Sequence, residues 1–474
     1  MDLPAGLPIT TEDWEKTPPS VQAVIVMFLR DNQTLKEQVE KLHERFNKNS
    51  GNSSKPPSSD SPQKRSYPKP EPSGEKKGGR IGHHGHGRKL KGAGEVSKIV
   101  KCLPTVCKDC GALLLGEDPQ PERHQVSELP KIAPIIVEYQ RHTLNCVVCG
   151  VQNRAEWPKD MPKGSFGERL QGLIGYLSGR FGVSQRDIAE MAETVFQVKI
   201  SLGSIPAQER RVSQALQQPV EAAQKYVQTQ SAVNVDETGW HEFTKDFWLW
   251  VCTTPSVTVF RIFQNRSASG AATLLGKDYS GIVGSDRYSA YNSLDPLYRQ
   301  VCWAHLKRDF QALVDRGSES QVIGRMLLAR LKQFFGFWHR FRSGTLSRID
   351  FQTAMQPIRL EVVGLLEIGT LLGHSETRRT CQNILKVKQA LWTFVDQEGV
   401  EPTNNAAERA LRRGVIWRRR SYGTQSENGS LFVERILTAV ITLRQQKRDV
   451  LDYLAAACKA VTLGIQAPSL LPVD

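Results

Sequence analysis

The chain has 474 residues, of which 63 are lysine or arginine and 49 are aspartate or glutamate, so its formal net charge is +14. This length exceeds one compact core and predicts three or four folded units of roughly 100–200 residues each. The charge favours DNA or RNA as a partner over an acidic lipid surface, and no apolar run approaches the ~20 residues that span a bilayer. Because the start of the chain also lacks a signal segment, we expect a soluble, intracellular protein.

Residues 1–47 are predicted to form an N-terminal helix whose apolar side chains alternate at spacings of four and three. The heptad places Ile25, Asn32, Val39 and Phe46 at position a, and Val21, Phe28, Leu35 and Leu42 at position d. A single asparagine at an a position typically fixes the register and favours two strands. The pattern therefore predicts a coiled coil and a homodimer; the alternative is an amphipathic helix that packs on its own protein.

Residues 48–98 are rich in Ser, Pro, Gly, Lys and His. A segment of this composition cannot bury enough apolar surface to fold alone. Its basic residues suggest an arm that follows DNA phosphates, and a solvated linker without a binding role is the alternative.

Residues 99–160 contain two Cys-x-x-Cys pairs, each followed by glycine. The pairs are Cys107 with Cys110 and Cys146 with Cys149. Four thiolates form a closed tetrahedral site, so we predict one structural Zn²⁺; two matched pairs disfavour a redox dithiol. Cys102 is a possible substitute ligand. The alternation of apolar residues between Gln125 and Arg141 predicts a small β-rich insertion between the two pairs.

Residues 161–229 are predicted to be helical. Ser184 and Asp187 resemble a capping box at one helix start, and a second, serine-capped start follows near Ser204 with Pro206 in its first turn. Helix, turn and helix in this order suggest a DNA-reading helix-turn-helix, and helical packing without DNA contact accounts for the pattern equally well.

The next segments predict a ribonuclease H-like catalytic core, built from residues 230–309 and 401–440 around a mixed sheet. Asp236 ends the first strand-like run and Asp286 ends the fourth. If those strands lie side by side and parallel, both carboxylates reach the same edge of the sheet. Residues 310–400 predict a helical insertion, and residues 441–474 predict a C-terminal helix and tail. The whole is a multidomain α+β protein.

Glu408 lies at a predicted helix start beyond the insertion and completes a set of three carboxylates with Asp236 and Asp286. Such a set suits two Mg²⁺ (or Mn²⁺) ions, which prefer oxygen ligands and promote in-line displacement at phosphorus. Glu237 is the main competitor of Asp236, but neighbouring residues of a strand point to opposite faces. Six arginines of the same helix are expected to hold DNA phosphates: Arg409, Arg412, Arg413, Arg418, Arg419 and Arg420.

Four segments of the chain closely resemble, in the same order, the signature segments of bacterial DDE transposases of the insertion sequence 66 type. These segments are Asp236 to Thr238, Ser285 to Asn292, Cys302 to Phe310 and Asn404 to Arg412. The resemblance implies that Asp236, Asp286 and Glu408 bind the catalytic metals, and that Cys302 and His305 support the site.

It also implies binding of double-stranded transposon ends and target DNA, strand cleavage, and transfer of the 3′-OH into the target. A homodimer or higher synaptic assembly and small accessory proteins are implied as well. Two alternatives remain open at this stage: a ribonuclease H-like nuclease or resolvase that only hydrolyses, and a non-catalytic DNA-binding regulator that uses the zinc module and the helices.

Overall fold

A computed structural model describes residues 3–4, 7, 9–47, 89–162 and 164–472. Most of the predicted basic linker, residues 48–88, lies outside the described residues, as does the side chain of Phe46. Within the described part of the chain, no helix has the length and apolar character needed to cross a bilayer.

The N-terminal segment forms a short helix, α1 (Thr11–Glu15), and a long one, α2 (Pro19–Asn47). Trp14 of α1 is buried, and its carbonyl accepts a hydrogen bond of 2.7 Å from Nε2 of Gln22. Along α2 most of the described heptad residues are exposed, with Phe28 and Val39 each 63% accessible, and Ile25 is partly buried. The helix is confirmed, and its pairing with a second copy stays a prediction.

The cysteine-containing segment holds one small antiparallel hairpin, β1 (Thr143–Asn145) with β2 (Gln152–Arg154), and a 3₁₀ turn at Ala93–Glu95. The predicted β-rich insertion is wrong, because residues 125–141 are all described and include no strand. Their alternating apolar side chains face solvent, Ile135 being 93% exposed. Alternation alone does not make a strand where no second strand pairs with the backbone.

Three helices follow: α3 (Glu168–Tyr176), extended by a π-helical turn at Leu177–Phe181, then α4 (Gln185–Thr194) and α5 (Ser204–Gln228). The capping of α4 is confirmed, since the Ser184 side chain accepts a hydrogen bond from the Asp187 amide. The serine cap predicted for α5 is wrong. Gly203 occupies the N-cap without a side-chain bond, and the Ser204 hydroxyl pairs with that of Ser201 instead.

A five-stranded sheet forms the centre of the molecule, in the order β5-β4-β3-β6-β7. The strands are β3 (Ala232–Glu242), β4 (Lys245–Thr253), β5 (Thr258–Phe263), β6 (Ile282–Ser285) and β7 (Arg299–Val301), with α6 (Ala268–Leu275) between β5 and β6. The first three strands are antiparallel, whereas β3, β6 and β7 are parallel. The predicted parallel contact between the first and fourth strands is confirmed.

Strand β3 is longer than its sequence pattern suggests. Its parallel pairing with β6 ends at Asn234, but its antiparallel pairing with β4 continues to Glu242. Asp236 therefore lies within the strand, two residues beyond the last pair with β6, rather than at the strand end. Asp286 directly follows β6, as predicted.

The segment between β7 and the last helices is helical and has its own core. It comprises α7 (Trp303–Asp315), α8 (Ser318–Arg342), α9 (Arg348–Leu371), α10 (Ser375–Leu385), a 3₁₀ turn at Lys388–Leu391 and α11 (Thr393–Asp396). Trp303, Phe334 and Phe394 are fully buried there, with Trp303 4.9 Å from Phe334 between ring centroids.

Three further helices return the chain to the sheet: α12 (Asn405–Ser421), α13 (Glu427–Gln445) and α14 (Val450–Leu463). Helix α13 runs through the position 440 at which the predicted catalytic core ends. One face of the sheet packs with α5, α6, α13 and α14, and the other packs with α12 and α13. The sheet is thus covered on both faces.

Candidate active site

Asp236 and Glu237 lie on opposite faces of β3. Asp236 pairs with Val251 of β4, which packs with α12, whereas Glu237 pairs with Trp250, which packs with α6. The alternation expected of a strand therefore directs only Asp236 towards the helix that carries Glu408.

Asp286 occupies the turn after β6. Its Oδ1 accepts a hydrogen bond of 2.9 Å from the amide of Tyr288, and the Asp236 carboxylate similarly accepts one of 2.9 Å from the amide of Glu237. Each bond fixes one carboxylate oxygen and leaves the other oxygen open for a ligand.

Glu408 lies in the first turn of α12, and Asn404 fixes that turn to the sheet. Asn404 is 1% exposed, and its Nδ2 donates to the carbonyl of Val235, the residue before Asp236, at 2.7 Å. Its backbone amide donates to Sγ of Cys302 at 3.1 Å, and its carbonyl accepts from the amide of Glu408 at 3.2 Å. One asparagine thus connects the segments that carry two of the three acids.

The acids influence one another electrostatically. The pKa of Asp236 is raised well above its ordinary value, first by burial and then by the negative charges of Glu237, Asp286 and Glu408. Like charges that share a site disfavour ionisation, and a bound cation relieves that cost. A divalent metal fits this donor set, because all the groups involved are carboxylates.

Cys302 and His305 lie beside Glu408 at the start of α7. Their potential ligand atoms, Sγ of Cys302, a ring nitrogen of His305 and a carboxylate oxygen of Glu408, all lie within 4.8 Å of one another. Among the described residues, the three acids do not form such a set. Nδ1 of His305 lies 3.5 Å from Oε1 of Glu408, a close approach without hydrogen-bond geometry. The structure therefore places Glu408 against the two supporting residues predicted from the sequence.

Cys302 is buried and His305 is partly buried. Burial raises the pKa of the Cys302 thiol to about 11, and burial followed by the charge of Arg308 lowers the pKa of His305. At neutral pH the thiol is therefore protonated, and the lowered pKa of His305 favours its neutral imidazole.

A buried network behind β3 was not evident from the sequence. Glu237, whose side chain is 1% exposed, pairs through Oε1 with Nε of Arg266 at 2.9 Å, and its Oε2 accepts from the Tyr291 hydroxyl. Burial is the main cause of the raised pKa of Glu237. Because both of its carboxylate oxygens already have donors, Glu237 is poorly placed to replace Asp236 as a metal ligand.

The six predicted DNA-binding arginines of α12 divide into two groups. Arg418 donates to the carbonyl of Gly239 at 2.6 Å, and Arg420 donates to the carbonyl of Phe181 at 3.1 Å. The other four make no ion pair or side-chain hydrogen bond within the part of the chain that the structure describes: Arg409, Arg412, Arg413 and Arg419. Two arginines thus hold the helix in place, and four remain available to a ligand.

The two Cys-x-x-Cys pairs form matching turns. The amide of Gly111 donates to the Cys107 carbonyl at 3.0 Å, and that of Gly150 donates to the Cys146 carbonyl at 2.8 Å, both glycines having φ near 72°. The amides of Cys110 and Cys149 are the main causes of the lowered pKa of Cys107 and Cys146.

Such turns suit thiolate ligands. However, the described residues include no set of three of these sulfur atoms within 4.8 Å of one another, so the structure forms the two turns without joining them into one site.

A net positive charge, together with an acidic cluster beside a mixed sheet, is typical of enzymes that process nucleic acids. The model of the transposase IS66 family matches residues 163–431, more than half of the chain, and the chain belongs to that family. Membership supports a transposase role. Residues 16–89 match a second family model, described as a family of unknown function, DUF6444.

Two relatives from Sinorhizobium fredii are similar to this chain. "Uncharacterized protein y4qI" is 27% identical over 247 residues, which are 47% of this chain and 45% of the relative. "Uncharacterized protein y4hP" is 23% identical over 397 residues, which are 76% of this chain and 71% of the relative. The chain thus spans less than half the length of the first relative and about seven tenths of the second.

Proposed function

We propose that the chain is a DDE transposase with a ribonuclease H-like core that cleaves DNA at transposon ends and joins the freed 3′-OH to target DNA. The observation that carries the proposal is the arrangement of the acids: β3 and β6 run side by side and parallel, and Asn404 holds the start of α12, with Glu408, against the residue before Asp236. Family membership supports it independently. The sheet order, with antiparallel strands followed by two parallel ones, suits this type of core.

Asp236, Asp286 and Glu408 would hold two Mg²⁺ or Mn²⁺ ions. When bound, such ions activate the attacking oxygen and stabilise the leaving one during displacement at phosphorus. The protein itself positions the carboxylates that would hold these ions. Asn404 keeps the start of α12 against β3, and Cys302 and His305 lie beside Glu408.

Arginines beside Glu408 would place the DNA. Arg412 follows Glu408 by four residues, one turn along the same face of α12, and is exposed. Its guanidinium can donate two parallel hydrogen bonds to one phosphate group. Such a contact positions the DNA strand and does not depend on the base sequence.

The remaining modules support the same reaction. Exposed apolar residues of α2 suit a homodimer or a higher synaptic assembly, and the cysteine turns suit one structural Zn²⁺. Double-stranded transposon ends and target DNA are the proposed substrates, with α4 and α5 as a candidate helix-turn-helix and small accessory proteins as possible companions. The protein would act in the cytoplasm, at the nucleoid.

The test replaces Asp236 by Asn, which keeps the side-chain volume and removes its charge. We expect the variant to lose Mg²⁺-dependent cleavage of end-containing DNA while it binds that DNA as the wild type does. Its melting temperature should not fall, because the substitution removes a buried like charge. Cleavage is followed on labelled DNA gels and binding by fluorescence anisotropy.

Asp246→Asn is the matched control, since Asp246 has an exposed side chain on β4 away from the acids. Full cleavage activity in the Asp236 variant would overturn the metal-ligand assignment. Joined products from pre-cut ends distinguish a transposase from a nuclease that only hydrolyses.

A further inference from the structure

A cleft of about 450 Å³ lies beside the second half of α12, the helix that carries Glu408, where four parts of the chain meet. These parts are the turn from Ser178 to Gln185, the start of α5, the second half of α12 and the start of α13. We name it the arginine cleft, after the four arginines that line it: Arg180, Arg210, Arg413 and Arg420.

The arginine cleft is distinct from the three acids. Helix α12 contributes Arg413, Ile416, Trp417 and Arg420. The last three follow Arg413 by three, four and seven residues, so all four lie on one face of the helix. At 100° per residue, Arg413 lies about 140° around the helix from Glu408. The same helix thus presents the acid on one face and this basic surface on another.

The positive charge of the cleft is not neutralised. Within the described part of the chain, Arg180, Arg210 and Arg413 make no ion pair and no side-chain hydrogen bond, while Arg420 donates to the carbonyls of Phe181 and Gly182. Burial, followed by the charges of Arg413 and Arg444, lowers the pKa of Arg180. Cations that crowd together in excess of the nearby acids indicate a site for an anion.

One acid lines the cleft, and it is already engaged. Glu209 accepts a hydrogen bond of 2.6 Å from the Ser178 hydroxyl, and its pKa is raised mainly by burial. Two helices also begin at the cleft, α4 at Ser184 and α13 at Ser426, and their amino ends add positive potential. An anionic ligand therefore meets little opposing charge.

The cleft also has an apolar wall, which a phosphate alone does not need. Phe181 is 53% exposed and Ile416 is 36% exposed, and Trp417 lies between the two arginines of α12. Unpaired bases bind to protein by placing their flat faces on aromatic rings beside basic groups that hold the backbone. Bases stacked within a duplex cannot make this contact.

We propose that the arginine cleft binds an unpaired nucleotide of the DNA substrate. Its phosphate lies among Arg180, Arg210 and Arg413, and its base lies against Phe181 and Trp417. The proposal rests on the proposed function in one respect, that the ligand is DNA. It adds a second point of contact, which would hold a frayed or single-stranded segment beside the reacting strand.

The test compares binding of the full-length protein to a duplex and to the same duplex with a short unpaired 3′ overhang, by fluorescence anisotropy. We expect the wild type to bind the overhang DNA about fivefold or more tightly than the duplex. Arg180→Gln combined with Phe181→Ala should bring that ratio close to one. Arg413→Gln alone should lower the ratio and keep the fold, because its side chain makes no contact that holds α12.

Arg325→Gln is the matched control, with the same loss of charge at an exposed site on α8, and it should keep the wild-type ratio. Equal binding of the two DNAs by the wild type would overturn the proposal, as would a wild-type ratio in both cleft variants. A preference for the overhang without Mg²⁺-dependent cleavage by the wild type would contradict the proposed function and leave the cleft proposal standing.

Discussion

A buried acid, Glu237, and a partly exposed base, Arg266, support from behind the strand that carries Asp236. The Glu237 side chain is 1% exposed and the Arg266 side chain is 31% exposed. The guanidinium also stacks on Tyr288, 3.6 Å from the ring centroid, and on Trp248 at 4.6 Å. Arg266 therefore neutralises the carboxylate and fills the space around it.

Replacement of Arg266 by Ala should lower the free energy of unfolding by about 3 kcal/mol, because it leaves the Glu237 carboxylate buried without its cation. Arg330→Ala is the control. It breaks the more exposed pair of Arg330 with Glu361 and should cost no more than about 1 kcal/mol. Urea denaturation of both variants measures the difference, and equal losses would refute the role of burial.

The sequence was sufficient to propose the three acids and the neighbouring Cys302 and His305, but not the buried contacts made by Arg266, Tyr291 and Asn404. Asp236, Asp286 and Glu408 each lie in a short segment of distinctive composition, whereas the partners are remote in the chain. Arg266 is 29 residues from Glu237, Tyr291 is 54 residues from Glu237, and Asn404 is 169 residues from Val235. Spacings of this kind follow from the fold and have no local signature.

Among the elements, α12 is the one that places Glu408, and it packs on the sheet through small residues. Ala407, Ala410 and Gly414 face Trp240, Leu249 and their neighbours. A Cβ atom at Gly414 would overlap the Leu249 side chain. Close contact between helix and sheet therefore depends on the absence of a side chain there.

Gly414→Ala should destabilise the protein by about 1–3 kcal/mol, because the methyl group forces the helix away from β4. Gly336→Ala makes the same change inside α8, where a Cβ meets no atom within 4 Å, and should stabilise by about 0.5–1 kcal/mol. Thermal melting gives both values. The two substitutions should change the melting temperature in opposite directions. A Gly414 variant with a raised melting temperature would contradict the close packing of α12 on Leu249.

The sequence predicted helices and strands better where a local rule applied than where the structure depends on the pairing of distant strands. The Ser184 cap and the parallel contact between the first and fourth strands follow from capping chemistry and chain connectivity. The length of β3 depends on its pairing with β4. Residues 125–141 pair with no strand in the described part of the chain. Alternating apolar residues favour a strand, but a strand forms only where tertiary contacts provide a partner.

At the scale of the whole molecule, the described chain has a core around the sheet, a second core in the helical insertion and two N-terminal modules with little buried surface. The apolar residues of α2 face solvent in the single chain. We therefore predict that they associate between chains.

Replacement of Leu35 and Val39 by Glu should convert a dimer into a monomer, because both side chains lie on the predicted heptad seam. The fold should be retained, since Leu35 is 59% and Val39 63% exposed in the single chain. Size-exclusion chromatography with light scattering measures the mass. Glu37→Gln, off the seam, is the control, and a wild type that is monomeric would refute the coiled coil.

The cysteine module gives a second prediction at this scale. Cys107→Ser combined with Cys146→Ser should reduce bound zinc from one equivalent per chain to none, because each pair loses a ligand. The melting of the sheet core should not change, since the residues around both pairs are mostly exposed. A colorimetric zinc assay and circular dichroism test the two parts. One equivalent of zinc retained by the variant would exclude these ligands.

Helix α13 follows Glu408 in the chain and yet buries Phe432, Val433 and Ile436 against the sheet and its neighbouring helices. Because a ribosome makes the chain from its amino end, the two aspartates emerge long before the helices that complete their surroundings. A nascent chain released early, before α13, therefore carries the acids without the packing that positions them. Under the proposed function, a chain that ends before α13 should therefore contain all three acids and yet not cleave DNA.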